Sequence, residues 1–417
     1  MSIKRILEPN RQIDVIHETD VLVIGSGPGG LSAALASARC GVDTTLIERF
    51  GCFGGNITVV GVEGFAWYRH EKTIEAGGIG VEFEEVAKEM GAAVPESQSL
   101  SYELDSEGFK VVADKLVLDA GIHPMLHRSF SMPIMEGNRI VGVILESKAG
   151  REAVLSKVVI DATGDADVAE RSGAATKKMP LEELMATSVM FHLAGIDKSA
   201  FLSEIKANPQ AYKDWSDGEW QVQTDGKEDN MFSPFIKKPF QQAINDGVLP
   251  PDLKTIGGTW GAVHETGELT YMNIIQLAEI DGTNPDDLTK GEIEGRRQAM
   301  LAIEALRAYY PGCENARLRN FGMSIGIRDT RKLDAIYNMT EHDVRQQGKF
   351  EDSIGIYPEF IDGYGLLILP TTGRYMQLPY RSMLPKNVDS LLVTGRATGG
   401  DKIAHAATRN MSCCSVN

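Results

Sequence analysis

The run Asp20-Val-Leu-Val-Ile24, followed at once by Gly25-Ser-Gly-Pro-Gly-Gly30, restricts the fold more than any other part of this chain. A short stretch of branched apolar residues fits a strand buried on both faces of a parallel sheet. Gly25-x-Gly27-x-x-Gly30 then supplies a tight turn, a close backbone approach to a ligand and a close helix–strand contact, in that order. Leu31 to Ala38, rich in small residues and leucine, reads as the helix that follows, and the amides at its start favour an anion such as a pyrophosphate. Asp43 to Glu48 reads as the next strand. It ends in an acid about 20 residues past the turn, where a carboxylate can accept hydrogen bonds from ribose hydroxyls. A glycine-rich turn alone also suits an unrelated α/β protein. The preceding strand, following helix and terminal acid together point to a dinucleotide.

The rest of the 417-residue chain repeats this character only in part. Val111 to Ile160 is β-rich: Lys115 to Ala120 reads as a helix end, and Ile122 to Phe130, Arg139 to Ser147 and Val154 to Ile160 as strands. The last of these runs into Asp161-Ala-Thr-Gly-Asp165. From about Pro180 to Gln377 longer polar stretches appear, with dispersed Trp215, Trp220, Trp260 and Tyr271. Within them Lys290 to Tyr310 has a helical period, with Ile293, Met300, Ile303 and Leu306 on one side. Thr289 reads as its N-cap, and Pro311-Gly312 as its end. Ser390 to Thr394 is again a buried strand, followed by Gly395-Arg396. The expected organisation is an α/β, Rossmann-like domain with a parallel sheet, split by an inserted α+β substrate or cap domain. Its first part covers 1–175, the insert 176–380 and its last part 381–417.

Charge and cysteine usage narrow the class. Lys and Arg total 42 against 58 Asp and Glu, a net charge of −16, which weighs against sequence-independent nucleic-acid binding. Five cysteines, two of them adjacent and none in a CxxC, make neither a disulfide framework nor a zinc or dithiol motif. The polar start has no apolar signal-peptide core, and no stretch reaches the 18 or so apolar residues of a membrane helix. These features set the expectation of a cytoplasmic protein without membrane insertion, metal or nucleic acid, acting on a small molecule. A homo-oligomer stays open.

The combination of Gly25 to Gly30, Glu48 to Thr58, Ile160 to Val168, Asp281 to Arg297, Ser324 to Arg331, Leu391 to Arg396 and Ala404 to Met411 resembles a FAD-dependent oxidoreductase family. That family lies within the glutathione-reductase-like flavoprotein superfamily and is distantly similar to fumarate reductase flavoproteins. The resemblance implies FAD as cofactor. It implies that Gly25, Ser26, Gly27, Gly29 and Gly30 wrap the pyrophosphate, and that Glu48, with Arg49 beside it, holds the adenosine ribose. Gly54, Gly55 and Asn56 would run toward the flavin. Thr163, Gly164 and Asp165 would lie near the adenosine half, with Gly395 and Arg396 near the ribityl and pyrophosphate region. The resembling family continues past Asn-Met-x-x-Cys into a glycine-rich helix start, whereas this sequence stops at Asn417.

The reaction expected from this resemblance is hydride transfer between a small organic substrate and flavin N5. His405 is the candidate for moving the matching proton and Arg409 for stabilising charge. His405 equally fits a structural hydrogen bond. Substrate contacts are sought at His264, Arg328 and Trp67, against the plainer readings of a loop histidine, an ion pair of Arg328 or Arg331 with Asp329 or Asp334, and core packing. Cys52 stands alone near the flavin region, which argues against dithiol chemistry. The run Asp217 to Asn230 reads as a solvated acidic loop. Non-redox hydrolysis of a carbon–carbon bond in a diketone, a flavin monooxygenase and a non-catalytic assembly subunit remain as alternatives.

Overall fold

The computed structural model describes residues 6–8, 10–65, 69–70, 74–75, 77–95, 102–209, 221–223, 235–253, 255–370 and 373–417. Trp67, Trp215, Trp220 and most of the Asp217 to Asn230 run lie outside these residues.

Strand β1 (Val15–Ile24) leads into helix α1 (Pro28–Arg39) and strand β2 (Thr44–Ile47). Pro28 sits in the first turn of α1, where its missing N–H forfeits no helical hydrogen bond. Helices α2 (Ile79–Glu89) and α3 (Gly108–Asp119) follow, then strands β3 (His123–Met125), β4 (Ser129–Glu136), β5 (Arg139–Ser147) and β6 (Gly150–Asp161). The expected single strand from Ile122 to Phe130 is therefore two strands. His127 between them takes a left-handed φ of 55°, which an extended chain cannot accommodate.

The sheet runs β3-β2-β1-β6-β5-β4. Pairings from β3 to β6 are parallel, and β6-β5-β4 is an antiparallel meander. Successive β1 residues face opposite sides: Val23 packs with Leu31, Leu46 and Phe109 in one core, Leu22 and Ile24 with Val143 and Val159 in another. This explains why the Asp20–Ile24 run is apolar without alternation. The α/β class expected from the sequence is the one observed.

A second sheet is built later in the chain around strands β7 (Thr187–Ala194) and β8 (Leu269–Leu277), which pair antiparallel. Helix α4 (Pro285–Tyr309) covers it, and strand β9 (Arg317–Phe321) adds to its edge beside β7. Two corrections concern α4. It starts one turn early, at Pro285, because the Asn284 side chain accepts from the Asp286 N–H at 3.0 Å. Thr289 instead bonds back to the Pro285 carbonyl inside the helix. Its buried stripe also differs from the expected one. Ile293 is 63% and Met300 42% exposed, whereas Gly291, Gly295, Ala299, Ala302, Ile303 and Leu306 are buried. Small residues win the inner face because the helix lies very close to β7: a Cβ on Gly295 would meet Val189 Cγ2 at 2.1 Å.

The chain returns to the first sheet through strand β10 (Leu391–Val393), parallel to the C-terminal half of β6, and helix α5 (Lys402–Thr408). The C-terminal ends of β1, β2, β6 and β10 thus converge on one crevice, the usual ligand position in open parallel sheets. The second sheet forms its opposite wall. Among the described residues, no helix is long and apolar enough to cross a membrane.

Candidate functional site

A cavity of about 740 Å³ runs through this crevice. At its first end the β1–α1 turn is packed backbone against backbone. A Cβ on Gly30 would meet the Gly25 carbonyl oxygen at 2.0 Å, and Gly25 itself holds a φ of 99°. Gly27 is different: its φ is −62°, and a Cβ there would meet nothing within 4 Å. The missing side chain of Gly27 leaves open space at the N-terminus of α1, where free amides and the helix dipole favour negative charge. Gly395, after β10, likewise faces open space.

Glu48, 5% exposed, is locked in place. Its Oε2 accepts from the Ser26 N–H at 3.0 Å and the Ser26 hydroxyl at 2.7 Å, and its Oε1 from the Phe50 N–H at 2.9 Å. Each carboxylate oxygen has two acceptor lobes, so capacity for a further donor remains on Oε1. Thr163 is fixed by Asp161, which accepts from its N–H at 3.0 Å and its hydroxyl at 2.7 Å. Burial pushes the Asp161 carboxyl up to about 6, against the lowering effect of these bonds and of the Ala169 N–H. Asp165 Oδ1 accepts from Arg396 and from the Thr330 hydroxyl, both at 2.6 Å. Arg396 Nε is buried with no hydrogen-bond partner among the described residues.

Gly25, Ser26, Gly27, Gly29, Gly30, Glu48, Arg49, Gly55, Asn56, Thr163, Gly164, Asp165, Gly395 and Arg396 all line this one cavity. Gly54 does not. It lies one residue behind, with Thr58 against the position of its absent side chain.

The second end of the cavity is made by Ser188 and Met190 on β7, Tyr271 and Asn273 on β8, and Arg328 and Arg409. Arg409 pairs with Asp362 at 2.9 Å. Tyr271 holds a left-handed φ of 51°, unusual for an aromatic residue, and burial raises its hydroxyl above the ordinary tyrosine range, so it stays an O–H donor. Neither its role nor the strain at this position is visible in the sequence, where Tyr271 is one aromatic among several.

Two expected site residues are elsewhere. His405 is 2% exposed and does not line the cavity. Its Nε2 lies 3.1 Å from the Arg328 carbonyl oxygen and 3.4 Å from Asp329. A carbonyl only accepts, so Nε2 carries the hydrogen and Nδ1 is bare. Burial, with Lys332 and Arg409 near by, lowers the imidazole to about 3, so it is neutral and cannot serve as an acid near neutral pH. His405 is a positioning residue behind Arg328. His264 lies in a turn closed by its own N–H and C=O, bonded to Glu268 and Gly267, and is also away from the cavity. Arg328 does line it. The expected ion pairs of this segment are redrawn as well. Arg331 pairs with Asp167, Asp329 with Lys332, and Asp334 with Lys177 and Lys386. Cys52 is buried against Thr58, and burial raises its thiol, which suits packing.

Comparison with known proteins follows this geometry. The model of the family described as FAD dependent oxidoreductase matches residues 20–416. A thiamine thiazole synthase of Metallosphaera sedula is 33% identical over 172 residues, which is 39% of this chain and 59% of that protein. The chain thus spans under two thirds of the length of the curated relatives it matches. Among solved structures, a geranylgeranyl bacteriochlorophyll reductase-like protein from Thermoplasma acidophilum superposes with a TM-score of 0.44 at 14% identity, covering 84% of this chain and 70% of the other. A flavocytochrome c3 fumarate reductase gives a TM-score of 0.31 at 17% identity, over 42% and 44%.

Proposed function

The chain belongs to the FAD-dependent oxidoreductase family, and from that premise we propose that its cavity holds FAD lengthwise for hydride exchange with a small organic substrate. The observation that carries this reading is the open space at Gly27, where helix amides, an absent side chain and a 740 Å³ cavity coincide. The residues fit the cofactor. Gly27, Gly29 and Gly30 offer free amides to the pyrophosphate, and Glu48 offers a fixed carboxylate to the adenosine ribose. Arg49, Thr163, Gly164 and Asp165 frame the adenosine half. Gly395 and Arg396, whose Nε lacks an acceptor, suit the pyrophosphate and ribityl region. Gly55, Asn56 and Arg409 lead toward the flavin.

Bound FAD supplies a two-electron hydride acceptor or donor next to the substrate. The chain's own residues do the rest. Val59, Val60, Leu367 and Leu369 wall the second end and exclude water. Tyr271 Oη can donate its hydrogen to the substrate atom that gains a proton, and Arg409 stabilises negative charge that develops beside it.

The test begins with Gly27→Val. Its φ suits valine and its Cβ meets no atom, so the fold should survive while the side chain fills the pyrophosphate position. Released flavin per chain is expected to fall at least about tenfold, the loss of ~1.4 kcal/mol of binding or more, with the thermal melt of the flavin-free protein unchanged. Retention of flavin at the unsubstituted stoichiometry would overturn the cofactor placement. Anaerobic mixing with candidate substrates then reads the hydride step directly as bleaching of the flavin band; product formed without bleaching would overturn the redox step.

A further inference from the structure

Several cations stand at or beside the second end of the cavity, and all but one are matched. Arg331 has Asp167, Lys332 has Asp329 and Arg409 has Asp362. Arg328 has none. Its Nη2 donates to the Ser188 hydroxyl at 2.6 Å and to Asn273 Oδ1 at 3.2 Å, both neutral. Among the described residues no carboxylate comes within ion-pair distance of its guanidinium, and no acceptor meets its Nε or Nη1. The side chain nonetheless lines the cavity. Burial and the nearby Arg409 charge both disfavour its ionised form, and Asp362, which favours it, is already bonded to Arg409.

A desolvated guanidinium without a counter-ion is costly, and in a cavity wall the missing partner is a ligand. The head group is also held still. Ser188 and Asn273 belong to two adjacent strands of one sheet, β7 and β8, and His405 donates to the Arg328 backbone carbonyl from behind. With Nη2 engaged, the free Nε and Nη1 hydrogens leave from different sides of the fixed guanidinium, and either can donate a single charge-assisted hydrogen bond to a carboxylate oxygen. One unmatched positive charge balances one negative charge. A phosphate dianion would leave an excess charge beside Asp362. We propose that Arg328, steadied by Ser188 and Asn273, is the carboxylate-recognition residue of this cavity, so that the substrate is a small organic acid. This rests on the reading of the cavity as a flavin site.

The experiment titrates the FAD-loaded protein with glycolate, with its uncharged isostere glycolamide and with inorganic phosphate, reading the flavin visible band and the heat of binding. Glycolate is expected to bind at least about tenfold more tightly than glycolamide or phosphate, and Arg328→Met to lose that preference, as a charge-assisted contact requires. Arg328→Lys, which keeps the charge without the planar head group that Ser188 and Asn273 hold still, should recover only part of it. Equal binding of glycolate and glycolamide, stronger binding of phosphate, displacement of FAD by glycolate, or an unchanged preference in Arg328→Met would each overturn the proposal. Should Arg328→Met fail to fold, the glycolate–glycolamide comparison in the unsubstituted protein decides alone. If the protein retains no flavin, the cofactor reading fails separately, and the heat of glycolate binding to the flavin-free protein still tests Arg328.

Discussion

The two ends of the cavity are built on opposite principles. At the β1–α1 end the working groups are the free amides of Gly27, Gly29 and Gly30 and the open space at Gly27, all within the six-residue turn Gly25 to Gly30. Charge there is balanced internally: Arg396 answers Asp165, and Glu48 is satisfied by three donors. At the other end the working groups are side chains from distant segments, Ser188, Tyr271, Asn273, Arg328 and Arg409, and one positive charge is unanswered. On the proposed reading, the first end takes the pyrophosphate half that ligands of dinucleotide-binding folds share. The second end is free to select a substrate, because side chains can change without disturbing the turn.

That contrast can be broken most forcefully at Gly30. A Cβ there would sit 2.0 Å from the Gly25 oxygen, with the Gly25 backbone on one side and Ala162 Cβ at 3.0 Å on the other, neither able to yield. Gly30→Ala is expected to cost more than about 4 kcal/mol, in the range reserved for severe packing failures. A urea denaturation midpoint close to that of the unsubstituted protein would show that the turn tolerates what the geometry forbids.

The matched and unmatched cations offer the next comparison. Lys332 and Asp329 are a buried pair, with side chains 5% and 0% exposed. Removing one partner by Lys332→Met strands a buried carboxylate and is expected to cost about 3–5 kcal/mol. Arg328→Met strands no acid and should cost less, about 1–2 kcal/mol, since it gives up guanidinium hydrogen bonds to neutral partners only. Equal losses in the two denaturation curves would remove the distinction between them.

The smallest effect concerns pH. The His405 imidazole is lowered to about 3 from 6.5, so below pH 6.5 the unfolded chain takes up a proton that the folded one refuses. Stability from this group is present above pH 6.5 and is lost as pH falls toward 3, by up to about 1.4 kcal/mol per pH unit. Glu63 shifts the other way, raised to about 7 by burial, but it is common to both proteins. His405→Gln keeps a donor for the Arg328 carbonyl and should flatten the fall in melting temperature between pH 6.5 and 4. A fall as steep as in the unsubstituted protein would mean that the histidine titrates normally.

How much of this was legible depends on how local each feature is. The β1–α1–β2 unit reads directly from the sequence, because the turn, the helix start and Glu48 lie within one short segment whose glycines have a single physical use. The strand before Asp161 and the strand before Gly395 were readable for the same reason. The inner face of α4 was not, since hydrophobicity favours Ile293 and Met300 while the close approach of β7 demands Gly295 and Ala299. His405 misled because imidazole chemistry depends on surroundings. In sequence it is a group that titrates near neutrality; in the fold it is a buried donor to the Arg328 carbonyl.

The sequence by itself therefore determined the class of fold, the dinucleotide-type turn and the residues around it, since these follow from backbone sterics over a few consecutive positions. Only the tertiary structure decided that Arg328, among the described residues, has no carboxylate within ion-pair distance while its chain neighbours do. That property belongs to no single residue. Arg328, Arg331 and Lys332 are near neighbours in the chain, and what separates them is which acids the packing of the two sheets brings within reach.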